Sequence, residues 1–184
     1  MNELTETLIN NEPGEETEND IVNKSILIRH TRQDDGRKIW ELVKKSHVLD
    51  INSVYCYLLM CTHFRNTCLV AEVDGEPVGF VTSYHHPDNN GVLFIWQTAV
   101  DEIYRGKGIA KKLILELLNQ KDCRHVTRIQ ATVSPSNKPS RSLFESLAKN
   151  LDVDLTEQEY FDSSLFPDNK HEEENLITVG PFNK

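Results

Sequence analysis

The stretch that most restricts the fold of this chain is a strand that runs through a short glycine-containing loop into an amphipathic helix. Apolar residues dominate positions 92–100, Arg105-Gly106-Lys107-Gly108 follows, and the helix predicted over 109–120 keeps Leu113 and Leu117 on one face. Because this helix begins directly behind the glycines, its first N–H groups and the positive end of its dipole face the loop. The sequence therefore predicts an anion-binding turn, to which Arg105 and Lys107 add positive charge.

Apolar and alternating segments elsewhere predict an α/β or α+β fold, with helices packed on a single layer of sheet. A hairpin is expected around Asp74-Gly75, because two β-type runs flank an Asp-Gly pair. Thr31 and Asp34 are candidate caps for a helix that ends near Ser46. The predicted strands lie at 26–29, 69–73, 78–84, 92–100, 126–133 and 176–179. Of the four predicted helices, the first two end near residues 46 and 60, and the other two span 109–120 and 140–150. This order combines antiparallel hairpins with one strand–helix–strand crossover.

Charge and composition limit what the chain can bind and where it works. It has 29 acidic against 20 basic residues, a net charge of −9, which argues against general affinity for nucleic acid or an anionic membrane. Residues 1–24 are strongly acidic and poor in apolar side chains, so we expect them to be disordered, whereas 25–184 fit one domain. No apolar run approaches the roughly 18 residues that span a bilayer, the first residues lack the basic start and apolar stretch typical of a secretory signal, and the cysteines lack CxxC spacing. These features predict a cytoplasmic protein with reduced thiols.

The spacing of the loop residues indicates which anion is bound. A P-loop would need GxxxxGK[ST], and a dinucleotide fingerprint would need Gly or Ala where Lys111 stands. Residues 105–110 instead read Arg-x-x-Gly-x-Ala, which resembles the pyrophosphate-binding motif of the GCN5-related N-acetyltransferase (GNAT) superfamily. That resemblance implies acetyl-CoA as cosubstrate and a mixed, mostly antiparallel twisted sheet flanked by helices. A flexible loop with solvated charges is the alternative interpretation of an isolated match.

A second segment, at 132–144, resembles the part of the superfamily that holds the pantetheine arm. Asn137 stands at the position that commonly contacts this arm, and Phe144 stands where many members carry a Tyr that protonates the departing thiolate. Phe144 has no proton to give, but a thiol with a reference pKa of about 8.5 leaves reasonably well as thiolate. The N–H groups near 98–100 are expected to polarise the thioester carbonyl. The cofactor residues implied are Thr98, Ala99, Val100, Arg105, Gly106, Lys107, Gly108, Ile109, Ala110 and Asn137.

Three blocks are similar to a narrower family, the L-2,4-diaminobutyrate acetyltransferases of ectoine synthesis. They lie at 49–64, at 93–100, and at 171–176 with 180–182, so that the resemblance extends over 26–182. It implies transfer of the acetyl group of acetyl-CoA to the 4-amino group of L-2,4-diaminobutyrate, for osmoprotection, by a homodimer. No metal is expected, because His63, His85 and His86 show no metal-ligand spacing. Two alternatives stay open: an acetyltransferase for another small amine, such as a polyamine or aminoglycoside, and a non-catalytic acyl-CoA-binding module, which Phe144 favours.

A diamino acid carries two ammonium groups and one carboxylate, so its pocket needs anionic groups and a route by which one amine loses its proton. Asp50 and Glu174 are the candidates for this chemistry, together with Trp96, whose indole face suits a cationic head. Apart from the resemblance, Trp96 is equally typical of a core, and the acidic run at 172–174 is typical of a solvated surface. Arg65 is a candidate for the substrate carboxylate. The predicted substrate-binding residues are Asp50, Asn52, Tyr55, Tyr57, Trp96, Gln97, Glu172 and Glu174.

Overall fold

The computed structural model describes residues 25–167 and 171–183, and the predicted disordered arm at 1–24 lies outside the described residues. No helix within these two ranges is long and apolar enough to cross a membrane. The elements are β1 (Leu27–His30), α1 (Asp35–Ser46), α2 (Val54–Thr62), β2 (Leu69–Val73), β3 (Glu76–His86), β4 (Asn89–Val100), α3 (Ile109–Asn119), β5 (Arg128–Val133), α4 (Lys138–Leu151), β6 (Leu155–Phe161) and β7 (Glu174–Val179).

One seven-stranded sheet, in the order β1-β2-β3-β4-β5-β7-β6, forms the middle of the molecule. All neighbouring strands pair antiparallel except β4 and β5, which are parallel and are joined by the crossover through α3. The prediction of a single mixed, mostly antiparallel sheet flanked by helices is therefore confirmed.

The predicted element order lacked one strand, and the expectation of six strands is wrong. β6 pairs with β7, from Leu155 opposite Val179 to Phe161 opposite Glu174, and forms one edge of the sheet. All its side chains after Leu155 are exposed. A strand with both faces in contact with water shows no clear apolar–polar alternation, so its pairing with β7 decides its conformation and the local sequence does not.

The first helix is fixed at its start by a carboxylate that differs from the predicted cap. Asp34 occupies the cap position of α1, but its side chain makes no capping hydrogen bond. The neighbouring Asp35 is buried; its Oδ2 accepts the Arg32 N–H at 2.7 Å and pairs with Arg29 at 2.7 Å. Arg29 also holds Glu72 of β2 at 2.7 Å, so this ion-pair network connects the start of α1 to the first two strands.

Apolar side chains pack on both faces of the sheet and form two clusters. Helices α3 and α4 cover one face, where the buried residues include Leu93, Ile95, Leu113, Ile114 and Leu147. Helices α1 and α2 cover the other, where the buried residues include Ile39, Val43, Tyr57 and Phe80. The central strands therefore have apolar side chains on both sides, as expected for a sheet between two layers of helices.

A β-bulge at Trp96 changes the direction of the side chains along β4. Thr82 of β3 lies opposite Gln97 and Ser83 lies opposite Ile95, so Trp96 is the extra residue. Before the bulge, Ile95 belongs to the cluster beneath α3 and α4; after it, Ala99 packs against the cluster beneath α1 and α2. Because one inserted residue reverses the alternation of side chains, Gln97 faces the α2 side of the sheet.

The sheet opens between its two parallel strands. β4 and β5 are in register only from Val92 opposite Arg128 to Phe94 opposite Gln130. Beyond Phe94, β4 continues to Val100 with β3 as its only strand neighbour in the described part of the chain. The resulting gap, bounded by the second half of β4 and the end of β5, adjoins the cavities described next.

Candidate active site

A cavity of about 500 Å³ lies where the end of β4, the start of α3 and the start of α4 meet. All the predicted cofactor residues line it except Lys107. The Nζ of Lys107 lies instead 5.2 Å from the centroid of the Tyr104 ring. The lining shared with the prediction is Thr98, Ala99, Val100, Arg105, Gly106, Gly108, Ile109, Ala110 and Asn137. We refer to this space as the cofactor cavity.

The loop before α3 presents backbone donors to this cavity. Gly106 and Gly108 have φ angles of +76° and +72°, a backbone conformation that is unfavourable for residues with a Cβ atom. A Cβ at either position would meet no atom within 4 Å, so the positive φ is what requires glycine. Gly108 caps α3 without a side-chain hydrogen bond, which leaves the first N–H groups of the helix available to an anion. The Nε of Arg105 donates to the Val100 carbonyl at 3.1 Å and holds the loop against the end of β4.

A second cavity, of about 660 Å³, adjoins the first at the gap between β4 and β5. Of the predicted substrate residues, Asp50, Asn52, Trp96, Gln97 and Glu174 line it. Aromatic side chains form much of the remaining wall: Tyr84, Phe94, Phe144, Tyr160, Phe161 and Phe166. We call this space the acceptor cavity. The residues that line both cavities are Val48, Leu49, Thr98, Asn137 and Ser140, and we call them the junction.

Hydrogen bonds from Gln97 and Tyr57 hold the loop that carries Asp50 and Asn52. The Tyr57 hydroxyl donates to Gln97 Oε1 at 2.9 Å, and Gln97 Nε2 donates to the Asp50 carbonyl at 2.9 Å. The Asn52 N–H donates to the same hydroxyl at 3.4 Å. Tyr57 is fully buried, and this burial raises its pKa. The Tyr57 hydroxyl, which was expected to contact the substrate, therefore positions the loop from inside the protein and does not line the acceptor cavity.

A histidine and two carboxylates form a cluster in the acceptor cavity. His171 Nε2 lies 3.1 Å from Asp50 Oδ2 and 3.9 Å from Glu174 Oε1. Ser134 donates to Glu174 Oε1 at 3.2 Å, and the Phe166 ring stacks on His171 with the centroids 4.0 Å apart. The hydrogen bond of His171 Nδ1 to the Glu172 carbonyl, followed by the hydrogen bond and charge of Asp50, raises the pKa of His171. The two carboxylates differ in exposure: 80% of the Asp50 side chain is exposed but only 16% of the Glu174 side chain.

His171 was not among the residues singled out from the sequence. It begins the block at 171–176 that carries the resemblance and stands immediately before the acidic run, but neither feature indicates a role for this residue. Its contact with Asp50 joins residues 121 positions apart, so the pair is produced by the tertiary fold.

Some predicted residues lie away from the acceptor cavity. Tyr55 is 68% exposed on α2, and Glu172 is exposed and accepts the Ser136 N–H at 3.0 Å. Arg65 does not line the cavity, and its carbonyl is bonded to His30 Nδ1. Trp96, expected from the sequence to be either a substrate-binding or a core residue, has features of both: it lines the cavity, and its ring stacks on the buried Tyr57 with centroids 5.9 Å apart. Among the described residues, no group of three or more His, Cys, Asp or Glu side chains is arranged to hold a metal ion.

Comparison with known proteins gives consistent matches over nearly the whole described chain. Residues 32–148 match the Acetyltransferase (GNAT) family. The chain is 44% identical over 160 residues to the L-2,4-diaminobutyric acid acetyltransferase of Marinococcus halophilus, and the aligned region covers 87% of this chain and 92% of the relative. The enzyme of the same name from Virgibacillus pantothenticus is 45% identical over 152 residues, covering 83% and 96%.

Solved structures agree with these relatives. Diaminobutyrate acetyltransferase EctA from Paenibacillus lautus, in complex with L-2,4-diaminobutyric acid and coenzyme A, superimposes with a TM-score of 0.85 at 40% identity, covering 88% of this chain and 98% of that one. Ard1 from Thermoplasma volcanium superimposes with a TM-score of 0.68 at 17% identity, covering 86% and 99%, and shares the fold alone.

Proposed function

We infer the activity of this chain from its family, because it belongs to the L-2,4-diaminobutyric acid acetyltransferases within the GNAT family. It transfers the acetyl group of acetyl-CoA to the 4-amino group of L-2,4-diaminobutyrate, a reaction of ectoine biosynthesis, and releases N4-acetyl-L-2,4-diaminobutyrate and CoA. The structural observation that supports this inference is the adjacency of two cavities of opposite chemistry at the gap between β4 and β5. One presents backbone N–H donors and Arg105, and the other presents carboxylates.

In the proposed binding mode, acetyl-CoA occupies the cofactor cavity and directs its thioester towards the junction. Its pyrophosphate binds the N–H groups of the loop and the first turn of α3, where Gly108 permits close approach. The pantetheine arm follows the second half of β4, with Asn137 on the opposite wall. The N–H groups near 98–100 that point away from β3 then face the thioester carbonyl and stabilise the oxyanion that forms during attack.

The acceptor cavity suits a small zwitterion with an additional amine. Asp50 and Glu174 supply negative charge for ammonium groups, and Trp96 offers the face of its indole ring. Among the described residues that line this cavity there is no Lys or Arg, and the histidines are His86 and His171. We assign the substrate carboxylate to His171, whose pKa is raised. We therefore add His171 to the proposed substrate-binding residues. Tyr57 does not contact the substrate and instead holds Gln97 by a hydrogen bond.

The chemistry proposed is direct attack of the amine on the thioester. The reacting ammonium group loses its proton to a carboxylate of the cluster, or to water held there, because only the free amine carries a nucleophilic electron pair. A C–N bond forms at the acyl carbon, the C–S bond breaks, and the electron pair of that bond stays on sulfur. The nitrogen gives up a second proton to water as it becomes the amide nitrogen. Holding both reactants at the junction supplies a large part of the acceleration.

A substrate panel tests this function. With the purified protein and acetyl-CoA, thiol release is measured with L-2,4-diaminobutyrate, L-ornithine, putrescine and an aminoglycoside, and the product is identified by NMR. We expect turnover with diaminobutyrate and acetylation at the 4-amino group. Turnover of putrescine while diaminobutyrate is inert would instead support an acetyltransferase for another amine, and saturable acetyl-CoA binding without thiol release from any amine would support a binding module.

We further propose that the protein is a homodimer, as its resemblance to the family implies, and that it works in the cytoplasm. The four cysteines form no disulfide, which suits a reducing compartment. Light scattering on the eluting protein tests the dimer, for which we expect twice the 21.1 kDa chain mass. A mass equal to one chain at all concentrations would contradict it, and cell fractionation tests the location.

A further inference from the structure

The departing sulfur needs a partner that the side chain at position 144 does not supply. Phe144 lines the acceptor cavity, is only 3% exposed and carries no proton donor. When the C–S bond breaks, the electron pair stays on sulfur, and a low-dielectric cavity makes an unpartnered thiolate unfavourable. Another group at the junction therefore has to stabilise the charge.

Among the junction residues, three have polar side chains, and two of these are already engaged. Thr98 Oγ1 donates to the Phe80 carbonyl at 2.7 Å. Asn137 Oδ1 caps α4 by accepting the Ser140 N–H at 3.1 Å, and the Nδ2 group of Asn137 is assigned to the pantetheine arm in the proposed binding mode. The Ser140 hydroxyl has no acceptor among the described residues, although it lines both cavities. It precedes Phe144 by four positions, so the two side chains lie on the same face of α4, with Ser140 one turn nearer the positive end of the helix.

We propose that the Ser140 hydroxyl, at the N-terminus of α4, binds the sulfur of coenzyme A and stabilises it as a thiolate while it leaves. This assignment rests on the proposed function. A serine hydroxyl is a much weaker acid than a thiol, so it donates a hydrogen bond and keeps its proton. Of the two protons that the nitrogen loses, one passes to a carboxylate of the cluster and one to water, and CoA is released as the thiolate and takes up a proton in water. No general acid is required, which accounts for Phe144.

A binding experiment that needs no turnover tests the proposal. The affinities of CoA and of desulfo-CoA, which lacks the thiol, are measured by calorimetry between pH 6.5 and 9.5. We expect the site to lower the pKa of the bound thiol below its reference of about 8.5. The affinity of CoA relative to desulfo-CoA should then increase as the pH rises, by up to about tenfold for each pKa unit by which the thiol is shifted. Ser140→Ala should flatten this ratio and leave the desulfo-CoA affinity unchanged.

Desulfo-CoA also controls for the other titratable groups near the junction, because it meets the same ones. Those groups, among the residues that line the two cavities, are Asp50, Tyr84, His86, Tyr104, Arg105, Lys111, Tyr160, His171 and Glu174. A ratio that stays flat in the wild-type protein, or one that persists in Ser140→Ala, would overturn the assignment of Ser140. Failure of both CoA and desulfo-CoA to bind would overturn the proposed function itself, so the two failures are distinguishable.

Kinetics provide the second measurement. Ser140→Ala should lower kcat about tenfold or more, as expected for loss of one hydrogen bond to a charged group, with little change in the KM for acetyl-CoA. Ser140→Thr keeps a hydroxyl at the same place and should retain most of the rate. Glu145→Ala, on the exposed face of the same helix, is the matched control. Equal loss in the Ala and Thr variants would mean that the hydroxyl has no such role.

Discussion

Removing the hydroxyl of Tyr57 is the sharpest test of whether its hydrogen bonds hold the loop that carries Asp50 and Asn52 at the acceptor cavity. Tyr57→Phe keeps the ring, which is fully buried and stacks on Trp96, and removes one oxygen. Gln97 Oε1, on a side chain that is 7% exposed, then loses its donor, and the Asn52 N–H loses an acceptor. An unsatisfied buried polar atom costs about 1–3 kcal/mol, so the free energy of unfolding should fall by about that amount.

Two assays measure this change. For a chain of this size each kcal/mol shifts the melting temperature by about 2–4 °C, so thermal unfolding should show a fall of roughly 2–12 °C. Because Gln97 Nε2 holds the Asp50 carbonyl at 2.9 Å, the loop also loosens on the substrate side only. We expect the KM for diaminobutyrate to rise by up to about tenfold, equivalent to about 1.4 kcal/mol, with the KM for acetyl-CoA nearly unchanged.

A matched control is available on the same helix. Tyr55→Phe makes the same chemical change two residues away, on a ring that is 68% exposed, and should alter stability by no more than about 0.5 kcal/mol. The reasoning is refuted if Tyr57→Phe melts within a degree of the wild type and binds diaminobutyrate as well. It is also refuted if both variants lose the same stability, because burial would then not be the cause.

Three further changes test the remaining parts of the site. Gly108→Trp combines a strained φ of +72° with a large ring placed in the cofactor cavity, so calorimetry should detect no acetyl-CoA binding; unchanged affinity would remove the proposed pyrophosphate site. Asp50→Ala should raise the KM for diaminobutyrate far more than that for acetyl-CoA, and equal effects would argue against a role in the acceptor cavity. The pKa of His171 is raised above 6.5, so its ion pairs stabilise the fold fully below pH 6.5 and less as the pH rises through the raised value. The difference in melting temperature between the wild type and His171→Gln should therefore be larger at pH 5.5 than at pH 9, and a constant difference would contradict this.

The cofactor side of the site could be predicted from the sequence because its determinants are local. Two glycines, a basic residue and an amphipathic helix follow one another within 105–119, and the structure places almost the whole predicted set around one cavity. Positive φ at Gly106 and Gly108 is a property of single residues, and the free N–H groups belong to the first turn of one helix. Nothing distant in the chain is needed to form them.

The acceptor side could be predicted only in part, because distant segments build it. Tyr55 and Tyr57 were both expected to offer hydroxyls to the substrate. On a helix, residues two apart lie on nearly opposite faces, so only one of them can pack on the sheet; that one is Tyr57, and Tyr55 stays exposed. His171 meets Asp50 across 121 residues, and β6 exists because β7 pairs with it, so neither is visible in a local pattern.

One irregularity in the sheet, the bulge at Trp96, connects the two sides of the site. Without the extra residue, strict alternation would place Gln97 on the same face as Ile95, under α3 and α4, where its amide could not reach Tyr57 of α2. The bulge turns Gln97 to the α2 side and lies within the stretch of β4, beyond Phe94, that has no partner in β5. The same short segment therefore orients the loop that carries Asp50 and frees the edge of β4 along which we place the thioester. Because this register is a property of two paired strands, it also explains why the candidate residues at 96–98 could be named from the sequence while their arrangement could not.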